Sequence, residues 1–409
     1  MAPVPTKSMP ASAPLSVADL KVRLVSSIAE IEAAAWDACA NPAGDGAAYN
    51  PFIAYDFLRA LEDSRSTGGR SGWQPAHLVV EDGTGAVLGV APSYLKSHSQ
   101  GEYVFDHAFA DAYARAGGAY YPKIQVSVPF TPATGRRLLV RPGTGSAAAR
   151  EALARGLIGM MRQLEASSVH LTFEPEEEHA YLTAGELPYL SRFDIQYHWT
   201  DEGYGDFAGF LGALSSRKRK VLKRERRDAL ANGLSIRWIT GGDLTERDWD
   251  AFWKFYQDTG SRKWGRPYLT RDFFSRVNAA MADRILLVVA ERDGRPVAGA
   301  LNFIGGDTLF GRYWGCVEDH PFLHFEVCYY QAIDFALARG LKRVEAGAQG
   351  QHKLARGYRP TITRSAHAFA DPGLGRAVAD YLRRERAEMM RIQTAMDDDT
   401  PFKAEPEEP

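Results

Sequence analysis

Short runs in which apolar and polar residues alternate are separated by stretches with apolar residues at helical spacing, and the pattern predicts a mixed α/β chain. Residues 22–36 place Val25, Ile28, Ile31, Ala35 and Trp36 as a strand leading into a short helix. Asn50-Pro-Phe-Ile-Ala-Tyr-Asp-Phe-Leu58 follows, with Pro51 suited to a turn or to the first turn of a helix. Residues 76–80 and 87–91 flank Gly83 and Gly85 and predict a β-hairpin. In Tyr120-Tyr-Pro-Lys-Ile-Gln-Val-Ser-Val-Pro-Phe-Thr-Pro132, Ile124, Val126 and Val128 alternate as a strand with Lys123, Gln125 and Ser127 on its other face. Prolines at both ends keep that strand short or at an edge. Amphipathic helices are expected over 147–165 and 326–339, running into strands at 169–173 and 343–346. Pro142-Gly-Thr-Gly-Ser146 reads as a turn with Ser146 as N-cap of the first of these helices. A last helix over 375–394 carries one stripe made of Val378, Tyr381, Leu382, Met389 and Ile392.

The order of elements occurs twice. Pro51-Phe-Ile-Ala-Tyr-Asp-Phe-Leu58 recurs as Pro267-Tyr-Leu-Thr-Arg-Asp-Phe-Phe274, and the hairpin around Gly83 recurs around Gly294. Each half then carries a helix and a further strand. This predicts a duplicated α/β unit over 15–200 and 201–372, then a helix at 373–396 and an acidic, solvated tail at 397–409. Residues 1–14, rich in proline and small side chains, are expected to be a disordered tail. A chain of 409 residues exceeds what one core usually organises, which agrees with two domains.

Composition narrows the function classes. With 45% hydrophobic and 24% charged residues the chain is of ordinary globular type. Its net charge of -2 exerts no global pull on nucleic acid or membrane, so any such attraction is local. Cys39, Cys316 and Cys328 are spaced for neither a disulfide framework nor a zinc site, and a reducing compartment is expected. No apolar run approaches the roughly 18 residues of a membrane span, and the start lacks the apolar centre of a secretory signal. The expectation is a cytoplasmic protein without integral membrane contact, and with no metal. Oligomeric state is not legible.

Candidate chemistry concentrates in Glu345-Ala-Gly-Ala-Gln-Gly-Gln-His-Lys-Leu-Ala-Arg-Gly-Tyr-Arg-Pro360. A β-compatible run ends in a carboxylate, passes Gly347 and Gly350, and presents Gln349, Gln351, His352, Lys353, Arg356 and Tyr358. This fits a strand end opening onto a backbone-lined pocket, or a charged surface loop. Glu345 and His352 are the first candidates for a general base, because imidazole titrates near neutrality and burial raises a carboxylate toward it. His324 and Glu326 are second choices. Gly311-Arg-Tyr-Trp-Gly315 places Trp314 on a strand whose rings face a substrate or a plain aromatic core, and backbone amides near Trp314 and Gly315 are candidate oxyanion donors. Tyr121 and Gln125 are candidates for a substrate wall, or belong to an ordinary strand. The strongest charge run, Ser215-Ser-Arg-Lys-Arg-Lys-Val-Leu-Lys-Arg-Glu-Arg-Arg227, follows apolar positions Phe207, Phe210, Leu211 and Leu214 and reads as the cationic continuation of one helix. Phosphates are its natural ligand, with Arg217 and Lys220 the candidate contacts; the alternative is a solvated helix face. No Gly-x-Ser-x-Gly elbow and no complete phosphate loop occur.

Helices, an antiparallel meander, a helix and a further strand resemble the acyltransferase fold of the GNAT superfamily, here in tandem. From about residue 48 to residue 370 the chain resembles the FemAB-like branch, described as predicted N-acyltransferase or peptidoglycan biosynthesis/recognition protein. The motifs are Asn50-Pro-Phe52, the 121–132 segment with Gly135-Arg-Arg137, and Gly347-Ala-Gln-Gly-Gln-His-Lys-Leu-Ala-Arg-Gly-Tyr358. The resemblance implies two tandem GNAT-like domains with mixed, largely antiparallel sheets. It also implies an N-acyltransferase using acyl-CoA or aminoacyl-tRNA as donor co-substrate, no tightly bound cofactor, and a small-molecule or peptide amine as acceptor. Where acetyl-CoA enzymes of the fold hold pyrophosphate on backbone amides, this chain has Gly315-Cys-Val-Glu-Asp-His-Pro-Phe, and Glu318 and Asp319 oppose a pyrophosphate there. The alternative is a non-catalytic protein of the same fold that recognises peptidoglycan precursors or another polar ligand.

Overall fold

The hairpin written in the alternation around Gly83 forms as His77–Glu81 against Val87–Ala91, and its repeat as Ile285–Arg292 against Arg295–Ile304. These strands belong to a computed structural model that describes residues 15–44, 48–231, 233–263, 267–347, 350–398 and 400–403. The expected tail at 1–14, Gln349 and the end from 404 lie outside the described residues.

Among the described residues the strands form two sheets. The smaller runs Lys21–Val25, His77–Glu81, Val87–Ala91, Leu139–Val140. The larger has eleven strands in the order Leu234–Thr240, Ile285–Arg292, Arg295–Ile304, Thr308–Cys316, Arg343–Glu345, Leu190–Thr200, Arg359–Phe369, Ser168–Glu174, Lys123–Val126, Ser93–Lys96, Trp73–Pro75. Pairing is antiparallel except at Thr308–Cys316 with Arg343–Glu345 and at Lys123–Val126 with Ser168–Glu174. The fold is therefore mixed α/β with largely antiparallel sheets. Arg359–Phe369, late in sequence, lies between Leu190–Thr200 and Ser168–Glu174, so one sheet carries strands of both halves.

The repeated Pro-aromatic blocks become helices Tyr55–Asp63 and Arg271–Met281, which pack on each other with the Phe57 and Phe273 rings 5.6 Å apart. Phe52 enters the same cluster, 5.2 Å from Phe303 and 5.1 Å from Phe310. Both halves thus share one apolar core, and neither buries its aromatic face without the other.

Several local expectations change. The single helix expected through 207–227 is two, Phe207–Ala213 and Ser216–Ala229, because the chain end docks at the break. Ser215 donates its N–H to the Pro401 carbonyl at 3.0 Å, Lys403 donates to Ala213 at 3.0 Å, and Pro401 is buried with the Phe402 ring half-buried beside it, so part of the acidic tail is tied down. Gly145, at φ 93°, takes the N-cap position instead of Ser146. A side chain at Gly145 would meet Leu15 at 3.0 Å, which makes glycine the fitting residue. The helix expected over 326–339 opens with a π turn, Glu326–Tyr330, before Gln331–Arg339. The final helix, Pro372–Asp398, packs along Leu190–Thr200 and Arg359–Phe369. No described helix is long and apolar enough to cross a membrane.

Candidate functional site

A parallel pair that parts company makes the site. Thr308–Cys316 pairs with Arg343–Glu345 only through Thr308–Phe310, with Phe310 opposite Glu345. Beyond that point the longer strand continues and the shorter one ends in Ala346 and Gly347. The gap is a cavity of about 120 Å³, walled by Asn302, Arg312 and Trp314 on one side and His324, Tyr329 and Ala346 on the other. Three local features shape it. A bulge at Leu301/Asn302 bends the neighbouring strand. Gly315 lies so close to the helix Glu246–Lys263 that a Cβ would sit 2.0 Å from the Phe255 carbonyl oxygen. The π turn carries Tyr329 and Cys328 to the opposite wall, and such turns occur preferentially at functional sites. A wider cavity of about 420 Å³ shares Trp314 and His324 with this slot.

Glu345 stands at the point of parting and is 3% exposed. Its carboxylate faces the N-terminal half and accepts the Thr134 N–H at 3.3 Å. Asn50 donates its side-chain N–H to the Thr134 carbonyl at 3.1 Å, and a Cβ on Gly135 would lie 2.4 Å from that amide nitrogen. Arg137 is fully buried and fixed by the carbonyls of Thr172 and Ala133, each at 2.8 Å. Asn50, Gly135 and Arg137 therefore hold a loop of one half against the carboxylate of the other. Burial pushes the Glu345 carboxyl up to about 7, against the pull of its hydrogen bond to Thr134 and of the Arg343, Arg137 and Arg312 charges. His198, paired across from Glu345, is pushed down to about 3 by burial and by nearby Arg343 and Lys353, and stays neutral.

His352 is exposed, and its Nε2 lies 2.9 Å from the Tyr329 hydroxyl on the slot wall. His324 packs edge-on against Trp314 at 5.2 Å and 6.1 Å from His352. The structure thus brings Trp314, His324 and Tyr329 to one slot, with His352 behind Tyr329; Glu345 precedes the slot-lining Ala346, and its carboxylate turns away to Thr134. Lys353, Arg356 and Tyr358 are buried and occupied: Lys353 donates to the Ala346 and Gly347 carbonyls at 2.6 and 3.0 Å, and Tyr358 donates to the Tyr329 carbonyl at 3.3 Å. Burial pushes the Lys353 ammonium down to about 8. Arg356 bonds Glu225 at 2.9 Å and stacks 3.4 Å above the Phe325 ring. These three pin the loop to the body. Gln351 opens the turn Gln351–Arg356. Glu326 is fully buried and paired with Arg226 at 2.9 Å and with Gln331 at 2.7 Å.

The basic helix is only partly free. Arg226 is held by Glu326 and Asp334, whereas Arg217 and Lys218 line a cleft of about 310 Å³ together with Arg356. The buried Arg356 Nε has no hydrogen-bond partner among the described residues. Lys220 is exposed outside the lining of that cleft.

Tyr121 and Gln125 stay inside the N-terminal half. Tyr121 shares a hydrogen bond with Ser99 at 2.8 Å, and Gln125 donates to the Thr172 hydroxyl at 3.0 Å. Lys123, expected on a polar face, is 1% exposed and bonded to Asp106 at 2.6 Å and Glu102 at 2.9 Å. The sheet face it lies on is covered rather than solvated. Sequence reasoning about the site passed over Asn50, Thr134, Arg137 and Lys218; the Asn-Pro-Phe and Gly-Arg-Arg motifs were the available signal for Asn50 and Arg137. Among the described residues no group of three or more His, Cys, Asp or Glu is placed to hold a metal ion.

The family model for FemAB-like proteins of peptidoglycan biosynthesis/recognition matches residues 27–404. No curated protein matches the sequence. A crystal structure of FemX superposes with a TM-score of 0.51 at 12% identity, covering 85% of this chain and 98% of that one. A tandem GNAT protein from the clavulanic acid biosynthesis pathway gives 0.44 at 14% identity, covering 86% of this chain and 99% of that one. L-PGS from Bacillus licheniformis gives 0.47 at 9% identity, covering 83% and 98%. At such identity the FemX likeness shows the fold alone.

Proposed function

The chain belongs to the FemAB-like family of peptidoglycan biosynthesis/recognition proteins, and on that premise we propose that it is a transferase that moves an acyl or aminoacyl group onto an amine in the slot between the parted strands. The observation that carries the proposal is Glu345: a buried carboxyl brought to about 7, on the last paired residue before the strands part and next in sequence to Ala346 of the slot wall. A carboxyl so placed takes a proton at neutral pH and releases it again.

The amine lone pair attacks the carbonyl carbon of a thioester or ester, forming the C–N bond, and the ammonium proton passes to Glu345. Collapse of the tetrahedral species breaks the C–S or C–O bond, and the leaving group receives the proton. The strand edge at 311–314, which has lost its parallel partner, offers backbone N–H groups to the oxyanion. Tyr329 with His352 links the slot to solvent at 2.9 Å and resets the proton inventory. The donor's phosphate sits in the cleft of Arg217, Lys218 and Arg356, where Glu225 is taken up by Arg356 and, among the described residues, Arg217, Lys218 and the Arg356 Nε have no partner, which favours an anion. Acyl-CoA and aminoacyl-tRNA both supply such a phosphate. The family description supports the amine of a peptidoglycan-precursor peptide as acceptor.

The test is transfer to hydroxylamine, a small amine, from a panel of acyl-CoAs and aminoacyl-tRNAs, with the hydroxamate detected by mass spectrometry. Wild-type protein forms the product above the uncatalysed background, and Glu345→Gln loses it. Saturable precursor binding with no transfer from any donor would instead make this a recognition protein.

A further inference from the structure

We propose that the wider cavity beside the slot receives a primary ammonium group carried by one of the substrates. The cavity of about 420 Å³ is walled by the rings of Trp314, Phe322, His324 and Phe325. Trp314 and His324 meet edge-on at 5.2 Å, and Phe322 lies 6.3 Å from Phe325. Aromatic faces of this kind attract a cation through their quadrupoles, most strongly where water is displaced. At the rim, Glu318 is bonded to Arg292 at 2.8 Å and to His320 at 3.0 Å, and Asp319 is exposed beside it. Deeper, the Thr259 hydroxyl on the cavity wall is buried and has no hydrogen-bond partner among the described residues.

These features select one chemistry. The rim carboxylates oppose a phosphate. A neutral apolar ligand fills the space but leaves the Thr259 oxygen unsatisfied, which costs the desolvation of that group. An alkylammonium satisfies all three, with its charge over the rings and toward Asp319 and an N–H available to Thr259. Phe322 is held at φ 61°, a left-handed conformation unfavourable for a non-glycine residue, so the loop keeps that ring in the wall against its own preference. Because the cavity shares Trp314 and His324 with the slot, the ammonium is the far end of the molecule whose other end reacts. It belongs to an amino-bearing acyl group or to a diamine-type acceptor. The identity of the ligand as a substrate rests on the transferase proposal, whereas its binding does not.

The test is calorimetric titration of the full chain with pentylammonium, with L-lysine amide and with 1-pentanol as the uncharged isostere. Pentylammonium or lysine amide binds saturably and about tenfold tighter than pentanol. Asp319→Asn, at an exposed position that leaves the core intact, removes most of that preference, and Trp314→Leu removes affinity for both ammonium probes. Lysine amide binding tighter than pentylammonium assigns the cavity to the aminoacyl side; the reverse order assigns it to the acceptor. Equal binding of pentanol and pentylammonium, or an Asp319→Asn variant with unchanged preference, overturns the inference. A protein that binds the ammonium probes but transfers no acyl group keeps this inference and loses the transferase proposal.

Discussion

Replacing Glu345 with glutamine is expected to stabilise the protein at alkaline pH while disabling it. The native carboxyl sits at about 7 instead of 4.5, because burial disfavours its charged form. At about 1.4 kcal/mol per pH unit, this amounts to roughly 3 kcal/mol of native-state cost once the group is ionised. The sign follows from proton binding. Below 4.5 both folded and unfolded chains hold the proton and nothing is lost. Between 4.5 and about 7 the unfolded chain releases it first, so stability falls as pH rises, and above about 7 the full cost is present. Glutamine keeps the shape, still accepts the Thr134 N–H, and carries no charge at any pH. Urea unfolding of wild type and Glu345→Gln at about pH 4.5 and about pH 8.5 checks this, since other titrating groups cancel in the difference between the proteins. The variant should match wild type at the lower pH and exceed it by about 2–3 kcal/mol at the higher. A variant that gains nothing at the higher pH, or is less stable there, would refute the assignment of Glu345 as a buried, uncompensated carboxylate.

Other perturbations follow from the same geometry. Gly315→Ala drives a methyl against the Phe255 carbonyl oxygen at 2.0 Å, and since backbone must move, a loss of about 1–3 kcal/mol is expected in chemical denaturation. Glu225→Ala strands the buried Arg356 guanidinium and should cost about 3–5 kcal/mol, with the double variant Glu225→Leu/Arg356→Met recovering most of it. Arg217→Glu should weaken donor binding about tenfold and flatten its salt dependence, whereas Lys220→Glu, outside the cleft, should change it about twofold or less in the same titration.

Much of the fold is written locally. The doubled Pro-aromatic block and hairpin are sequence patterns, and the structure packs Phe57 on Phe273 where the repeat places them. Glu345 at a strand end was legible for the same reason: a carboxylate closing an apolar run before glycine marks the end of pairing. What the sequence could not show is which polar groups find distant partners. Lys353 and Arg356 look like ligand contacts beside His352, yet Arg356 is claimed by Glu225, 131 residues away, and Lys353 by carbonyls exposed when the strand stops. Lys123 alternates as though solvated, but Asp106 and Glu102 fold over it and bury the charge in compensated form. The break at Leu214 was equally hidden, because it depends on the chain end returning to pair there.

The most direct test of the central claim is the pH dependence of single-turnover acyl transfer by wild type and Glu345→Gln, followed from about pH 5.5 to about pH 9 with any donor that supports hydroxamate formation. General-base catalysis by this carboxyl predicts a wild-type rate that rises with a midpoint near 7 and then levels, and a variant rate at least about 100-fold lower without that inflection. Equal rates, or a variant that keeps the same inflection, would contradict it and move the base elsewhere in the slot.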